Sequence, residues 1–241
     1  MPGATNGILC TLRGFGFEWD GDILRQSDRS AHYAAALERL NNRQLTFECS
    51  CSRQQLEDDR RYPGTCRSRP TVTGLPTATR LRVESGQIVF SDRIQGNYAQ
   101  DVAATVGDVL LRRRDHFIAY VLAVVVDDAA QGVTHIVRGA DLLDNTPRQI
   151  YLQRLLGSPS LNYAHVPLLS EPDGNKLAKS RRSVRLDAGA RVPQLLAVFS
   201  LLGLSPPSEL KDASIAESWT WAVAQWHVKR VPKLLTLRVT A

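Results

Sequence analysis

Apolar positions near the start of the chain follow helical spacing. Ile8, Leu9, Leu12 and Phe15 recur about a turn apart and stop at Gly14 and Gly16, after which Glu18 to Asp22 reads as a turn, so the chain is expected to begin inside a helix. Ser27 is placed to cap a second helix running to about Arg43, with Tyr33, Leu37 and Leu40 on its apolar face. The pattern changes at Leu45. From there to Gly74 aliphatic residues are sparse and three of the four cysteines occur, which reads as an insertion with its own stabilising device. Thr79 to Val83 and Gln87 to Phe90 are short strand-like runs, divided by Ser85-Gly86 as a hairpin turn would divide them.

Further on, Asp108 to Arg112 predicts a strand, and Ala119 to Asp128 a buried segment that periodicity assigns equally to helix or strand. Thr134 to Arg138 predicts a strand. Asp141 to Leu156 predicts an amphipathic helix with Leu142, Ile150, Leu152 and Leu155 apolar and Gly157 just past its end. His165 to Leu169 predicts a buried strand, Pro172-Asp173-Gly174-Asn175 a turn, and Val192 to Val231 a helical tail broken at Pro206-Pro207. Strand, helix, strand in the second half argues for a parallel α/β sheet.

With 241 residues, 43% of them hydrophobic, the chain can bury one sizeable core. Its longest apolar run, Phe117 to Val126, falls well short of the roughly 18 residues that cross a bilayer and is followed by two aspartates. The N-terminus shows no basic segment leading into an apolar one, so the expectation is a cytoplasmic protein without a membrane partner. Formal net charge is +6, and 25 of the 30 basic residues are arginine, which permits a polyanionic partner. Arg112-Arg113-Arg114 and Arg181-Arg182 with Arg185 are local concentrations that serve equally well as solvated faces.

Two features carry candidate chemistry. Cys49, Cys51 and Cys66 lie in one loop-rich segment, apart from Cys10, and three thiolates in a reducing compartment suggest a tetrahedral zinc site more than disulfides. The segment has no histidine, leaving the fourth position open to Tyr62, Asp58, Asp59 or water. The second feature is Lys176-Leu177-Ala178-Lys179-Ser180, expected on a loop outside the sheet, where two ammonium groups can face a triphosphate and offset charge that develops as pyrophosphate leaves.

In its setting that loop resembles the KMSKS signature of class I aminoacyl-tRNA synthetases. Asp127-Asp128, His135 through Leu143 and Thr146-Pro147-Arg148-Gln149 are similar to the stretch that glutamate-specific synthetases carry before the loop. Gly14 to Asp20 and Gln26 to Arg29 match as well, and the cysteine segment resembles the zinc insertion of the short glutamyl-Q tRNA(Asp) synthetases. The resemblance implies ATP-dependent activation of glutamate, with Mg2+ as the companion of ATP, and transfer of glutamate to the queuosine base of tRNA(Asp). It implies that Tyr120 and Arg138 hold glutamate, that Lys179 contacts ATP, and that Cys49, Cys51, Tyr62 and Cys66 bind a structural zinc ion. Without it, Tyr120 reads as a core aromatic and Arg138 as an ion-pair partner of Asp141 or Asp144.

The implied fold class is α/β, an incomplete Rossmann-like class I catalytic domain with a zinc-containing insertion and a C-terminal helical segment. The expected divisions are 1–44, a remnant of the first half of the nucleotide-binding fold; 45–93, the zinc insertion; 94–185, the second half with the lysine loop; and 186–241, the helical segment. The chain lacks the histidine-containing HIGH turn of the family, so the expectation is an N-terminally truncated monomer without glutamate-dependent pyrophosphate exchange. A non-catalytic zinc-stabilised RNA-binding remnant and a fragment of a full glutamyl-tRNA synthetase are the alternatives.

Overall fold

The computed structural model describes residues 3–52, 56, 61–69, 74–170 and 186–238. Helix α1 (Ala4–Gly14) leads to a one-turn 3-10 helix (Gln26–Asp28) and to α2 (Ser30–Asn42). Strands β1 (Thr46–Cys49), β2 (Ala78–Leu81), β3 (Gln87–Asp92) and β4 (Gly96–Asp101) follow, then the short α3 (Val102–Thr105), β5 (Val109–Arg112) and α4 (Tyr120–Ala130). The second half holds β6 (His135–Gly139), α5 (Thr146–Leu156), β7 (Asn162–Val166), β8 (Leu168–Ser170), α6 (Arg191–Leu201), α7 (Ile215–Gln225) and β9 (Thr236–Arg238).

The expected parallel unit is present. β6 and β7 pair in parallel from His135 opposite Asn162 to Gly139 opposite Val166, and α5 lies between them in sequence. The sheet continues through β3, parallel to β7, to β4, antiparallel to β3, in the order β4-β3-β7-β6. α5 starts with Pro147 in its first turn and stops at Gly157, whose φ of 67° allows the left-handed turn that closes the helix. The ambiguous segment after Ala119 is a helix. Its length exceeds that of a buried strand, and Leu122, Ala123 and Val125 all bury one face.

Three local expectations fail. Thr79–Val83 and Gln87–Phe90 do not form a hairpin, because β2 sits between β1 and β5 in a separate three-stranded sheet while β3 pairs with β4 and β7. Ser85-Gly86 therefore crosses between sheets. The run His165–Leu169 breaks at Pro167, which has no N–H for a ladder, and its second part, β8, pairs with β9 instead. Ser27 does not cap α2, since its hydroxyl donates to Asp28 at 3.0 Å and the helix starts at Ser30 without a side-chain cap.

One core joins both larger sheets. Leu40 of α2, Leu81 of β2, Leu111 of β5, Leu122 of α4 and Leu152 of α5 are wholly buried in a single cluster that also takes in Ile88 of β3. A second cluster packs Phe15, Leu195, Phe199 and Ala222, so the C-terminal helices cover the exit of α1. Trp219 donates its indole N–H to the Phe15 carbonyl at 2.7 Å, and a Cβ on Gly16 would stand 2.7 Å from Ile215 and 3.0 Å from Trp219. Trp219 is half-buried against this cluster. Among the described residues no helix is long and apolar enough to cross a membrane.

Asp127 fastens the N-terminal part to the core. Its carboxylate accepts from Arg29 Nε at 2.6 Å, Tyr33 Oη at 2.8 Å and Gln26 Nε2 at 3.2 Å, joining α2 and the turn before it to the end of α4. Burial first, and the adjacent carboxylate second, push the Tyr33 phenol up to about 12, so it stays a donor throughout the neutral range. Tyr33→Phe should cost about 0.5–1.5 kcal/mol by urea unfolding, the net worth of one hydrogen bond. Asp127→Ala should cost clearly more, because it strands three donors at once; equal losses for both variants would show that the clamp is not centred on Asp127.

Candidate functional site

The thiols of Cys49, Cys51 and Cys66 converge, with all three sulfur atoms within 4.8 Å of one another and Cys51 Sγ 3.5 Å from Cys66 Sγ. β1 delivers Cys49 with its side chain buried, and Cys51 follows where the strand ends. Tyr62 comes from the other side. Its hydroxyl accepts from the Cys66 backbone N–H at 2.9 Å and lies in hydrogen-bonding reach of Cys49. The ring packs against Phe47, and the Arg80 guanidinium lies 3.9 Å above it.

These thiols cannot all ionise unaided. Burial leads in lifting Cys51 to about 12, with the hydrogen bonds to Cys66 and Cys49 adding to it. Burial also opposes ionisation of Cys66, but the Ser50 N–H and the donors around it outweigh that and lower it to about 7. Burial and the neighbouring Cys49 raise the Tyr62 phenol. Three sulfurs this close could hold a metal ion, whose charge would favour the ionised thiols. Among the described residues Tyr62 is the expected fourth donor found at the cluster; Asp58 and Asp59 lie outside them. Cys10 is exposed and separate, as expected.

The same Tyr62 lines a cavity of about 370 Å³ with Arg80, Asp108, Tyr120, Asn145 and Arg148. Tyr120 is 52% exposed, so it is an open wall of this cavity and not a core aromatic. It stands at the first turn of α4, and Asn145 reaches the cavity from the turn that leads into α5.

Arg138 stands at the C-terminal end of β6, where ligands gather in open α/β sheets. Its Nε donates to His165 Nε2 at 3.1 Å, and its Nη2 donates to Thr146 Oγ1 at 2.9 Å and Gln149 Oε1 at 2.6 Å. Of the two ion-pair partners suggested without the resemblance, Asp141 or Asp144, Asp144 accepts instead from Tyr98 at 2.5 Å. Thr146, which takes the Arg138 bond, directly follows Asn145 of the Tyr120 cavity. The loop Lys176, Leu177, Ala178, Lys179 and Ser180 lies outside the described residues.

Sequence reasoning missed the partners of Arg138. Thr146 and Gln149 lie in the stretch similar to glutamate-specific synthetases, but nothing in their spacing predicts that both turn back onto the preceding strand. His165 and Asp92, which bond each other at 2.6 Å, are 73 residues apart and share no local pattern. Arg80 and Arg148 were equally silent.

The family model for the class I tRNA synthetase catalytic domain of the E and Q type matches residues 1–211. The chain is 51% identical over 238 residues to a protein of Ectopseudomonas mendocina named glutamyl-Q tRNA(Asp) synthetase, covering 98% of this chain and 81% of that one. A protein of the same name from Thiobacillus denitrificans is 47% identical, with 96% and 79% covered. The fold is also that of a glutamate-tRNA synthetase from Elizabethkingia anophelis, at a TM-score of 0.79 and 20% identity; all of this chain aligns, spanning 59% of that one.

Gly107 offers a direct handle on the thiol cluster. Its φ is +75°, a Cβ there would collide with the Tyr62 carbonyl, and the adjacent Val106 carbonyl accepts from Tyr62 N–H at 2.8 Å. Gly107→Ala should displace Tyr62 and lower the midpoint of thermal unfolding by several degrees, roughly the effect of 1–3 kcal/mol of strain in a chain of this size. Gly132→Ala, equally left-handed but with open space around it, should cost less, and calorimetry of the pair separates collision from backbone strain.

Proposed function

Since the chain belongs to the class I tRNA synthetase family whose catalytic domains serve glutamate and glutamine, we propose that it activates glutamate with ATP and transfers it to the queuosine base of tRNA(Asp). The observation that carries this reading is the identity of about half the residues along nearly the whole chain to proteins named for that reaction. In the first step a glutamate carboxylate oxygen attacks the α-phosphorus of ATP and pyrophosphate leaves; in the second a hydroxyl of the modified base takes the glutamyl group and AMP leaves.

The residues divide the work by their chemistry. Arg138 pairs with a carboxylate of glutamate, and Tyr120 hydrogen-bonds the same substrate. Lys179, within Lys176–Ser180, faces the ATP phosphates together with Mg2+ and lowers the cost of the charge that builds on pyrophosphate. Zinc held by Cys49, Cys51, Tyr62 and Cys66 is structural, tying β1 to the wall of the Tyr120 cavity that Tyr62 forms. The arginine-rich surface supplies phosphate contacts to the tRNA.

Metal analysis of protein never exposed to chelator should find one zinc per chain; less than about a tenth of an equivalent excludes a structural zinc. Cys51→Ser should lose the metal and destabilise the insertion, whereas Cys10→Ser should leave both unchanged. Glutamate titration should show Arg138→Ala weakening binding by about 10- to 100-fold, the worth of a charge-assisted hydrogen bond. The discriminating test of the whole reading compares tRNA(Asp) with and without queuosine as the acceptor of labelled glutamate. Only the modified form should become labelled, in the chain or in a longer form that includes it, and equal labelling of unmodified tRNA at its 3′ end would instead favour an ordinary glutamyl-tRNA synthetase.

A further inference from the structure

We propose that Asp92 and His165 are positioning residues that hold the Arg138 guanidinium in one orientation with its charge free for a substrate carboxylate. The proposal rests on the reading of Arg138 as a glutamate ligand and adds how the fold prepares it.

The assignment follows from donors and acceptors. Arginine only donates, so the 3.1 Å bond from Arg138 Nε requires a lone pair on His165 Nε2. The imidazole proton then sits on Nδ1 and is donated to Asp92 Oδ2 at 2.6 Å. Thr146 Oγ1, 3.2 Å from Nε2, is compatible with the same assignment, since it can donate to that nitrogen or to the Leu142 carbonyl at 3.1 Å. One tautomer satisfies every contact, and the other sets an N–H against the N–H of Arg138.

Asp92 is anchored so that it can impose this choice. Its Oδ1 accepts three backbone N–H groups, from Ile94 at 2.9 Å, Gln95 at 2.8 Å and His165 at 3.1 Å. Both side chains of the pair are fully enclosed. Burial alone would raise the Asp92 carboxyl, but the bonds from His165, Gln95 and Ile94 prevail and hold it below its ordinary value, so it remains an anion.

The result at the far end is an unusual arginine. Nε and Nη2 are engaged by neutral acceptors on one edge of the guanidinium, while among the described residues Nη1 has no hydrogen-bond partner. No carboxylate forms an ion pair with Arg138 among those residues; Asp128 feels its charge only through space. The anion of the relay lies one imidazole away, close enough to fix the tautomer and too far to neutralise the arginine. A carboxylate arriving at Nη1 meets a donor that is already oriented and unpaired, which removes the ordering cost of that contact.

Asp92→Asn tests this with almost no change of volume. The substituted side chain keeps its carbonyl on the three backbone N–H groups and turns its amide toward His165 Nδ1, which must then accept, moving the imidazole proton to Nε2. In 15N NMR, His165 should be the Nδ1–H tautomer in the natural sequence and the Nε2–H tautomer in the variant. Glutamate affinity should fall by about 10- to 100-fold in parallel. His165→Gln, which keeps an acceptor toward Arg138, should lose less affinity than His165→Leu, an ordering that a merely structural role would not produce. An Nε2–H tautomer in the natural protein, or glutamate affinity within about twofold of it in both Asp92→Asn and His165→Leu, would overturn the positioning role. If the expected tautomer is present but the natural protein does not bind glutamate, the functional reading fails, and the role of the pair in substrate binding fails with it.

Discussion

Asp92 brings a charge to the end of β3 where it is 3% exposed, and the elements around it are arranged to keep that charge satisfied. Its two oxygens take the backbone N–H groups that turn the chain out of the strand, the N–H of His165 and the imidazole of the same residue. β3 and β7 meet at Asp92 and Tyr163, two residues before that histidine, so the parallel pairing and the buried ion share one location. An unpaired carboxylate at such a depth would cost several kcal/mol, which makes the register of β7 against β3 a requirement of electrostatics as well as of hydrophobic packing. From His165 the network continues into Arg138 of β6 and Thr146 of α5, joining three neighbouring elements at the edge where substrate is expected.

A second buried carboxylate organises the other face. Asp127 collects Arg29, Tyr33 and Gln26 at the end of α4, while Tyr120 occupies the opposite end of the same helix. α4 is thereby fixed at its far end by polar contacts and along its length by Leu122 and Val125 in the core. Tyr120, at the first residue of the helix, points away from that packing and is 52% exposed, while Leu122 in the same turn is wholly buried. The thiol cluster closes the same cavity from the third side, because Tyr62 belongs to both. The thiol cluster and the cavity thus share Tyr62, clamped between Phe47 and Arg80, and Leu56.

What could be read from the sequence divides along the range of the interactions. α2, α5, α7 and the parallel β6–β7 unit follow from periodicity and Gly157, which are local, whereas the cap expected from Ser27 does not form. The convergence of the cysteines followed from residue type, since three soft ligands in a segment without a core have few other uses. The other strand partners were not legible. β2 and β3 are joined by residues 82–86 alone, yet each pairs with a strand elsewhere in the chain, and a Ser-Gly turn looks the same whether it closes a hairpin or crosses between sheets. The Asp92–His165 contact was hidden for the same reason, because a histidine in a buried strand gives no sign of the acid that will meet it.

Arginine is the commonest charged residue here, and the structure separates its uses by the company each guanidinium keeps. Arg29 ends on Asp127 and Arg67 stands 3.4 Å from Asp108, so their charges are spent inside the protein. Arg138 ends on a histidine, a threonine and a glutamine, all neutral in the arrangement its own N–H groups require. Taking a guanidinium partly out of water and giving it only neutral acceptors stabilises the folded state less than an ion pair of equal geometry would. In the proposed role of Arg138, the missing anion is the substrate carboxylate. The contrast between Arg29 and Arg138 lies in their acceptors more than in their burial, which is why it becomes visible only when the hydrogen bonds are followed atom by atom.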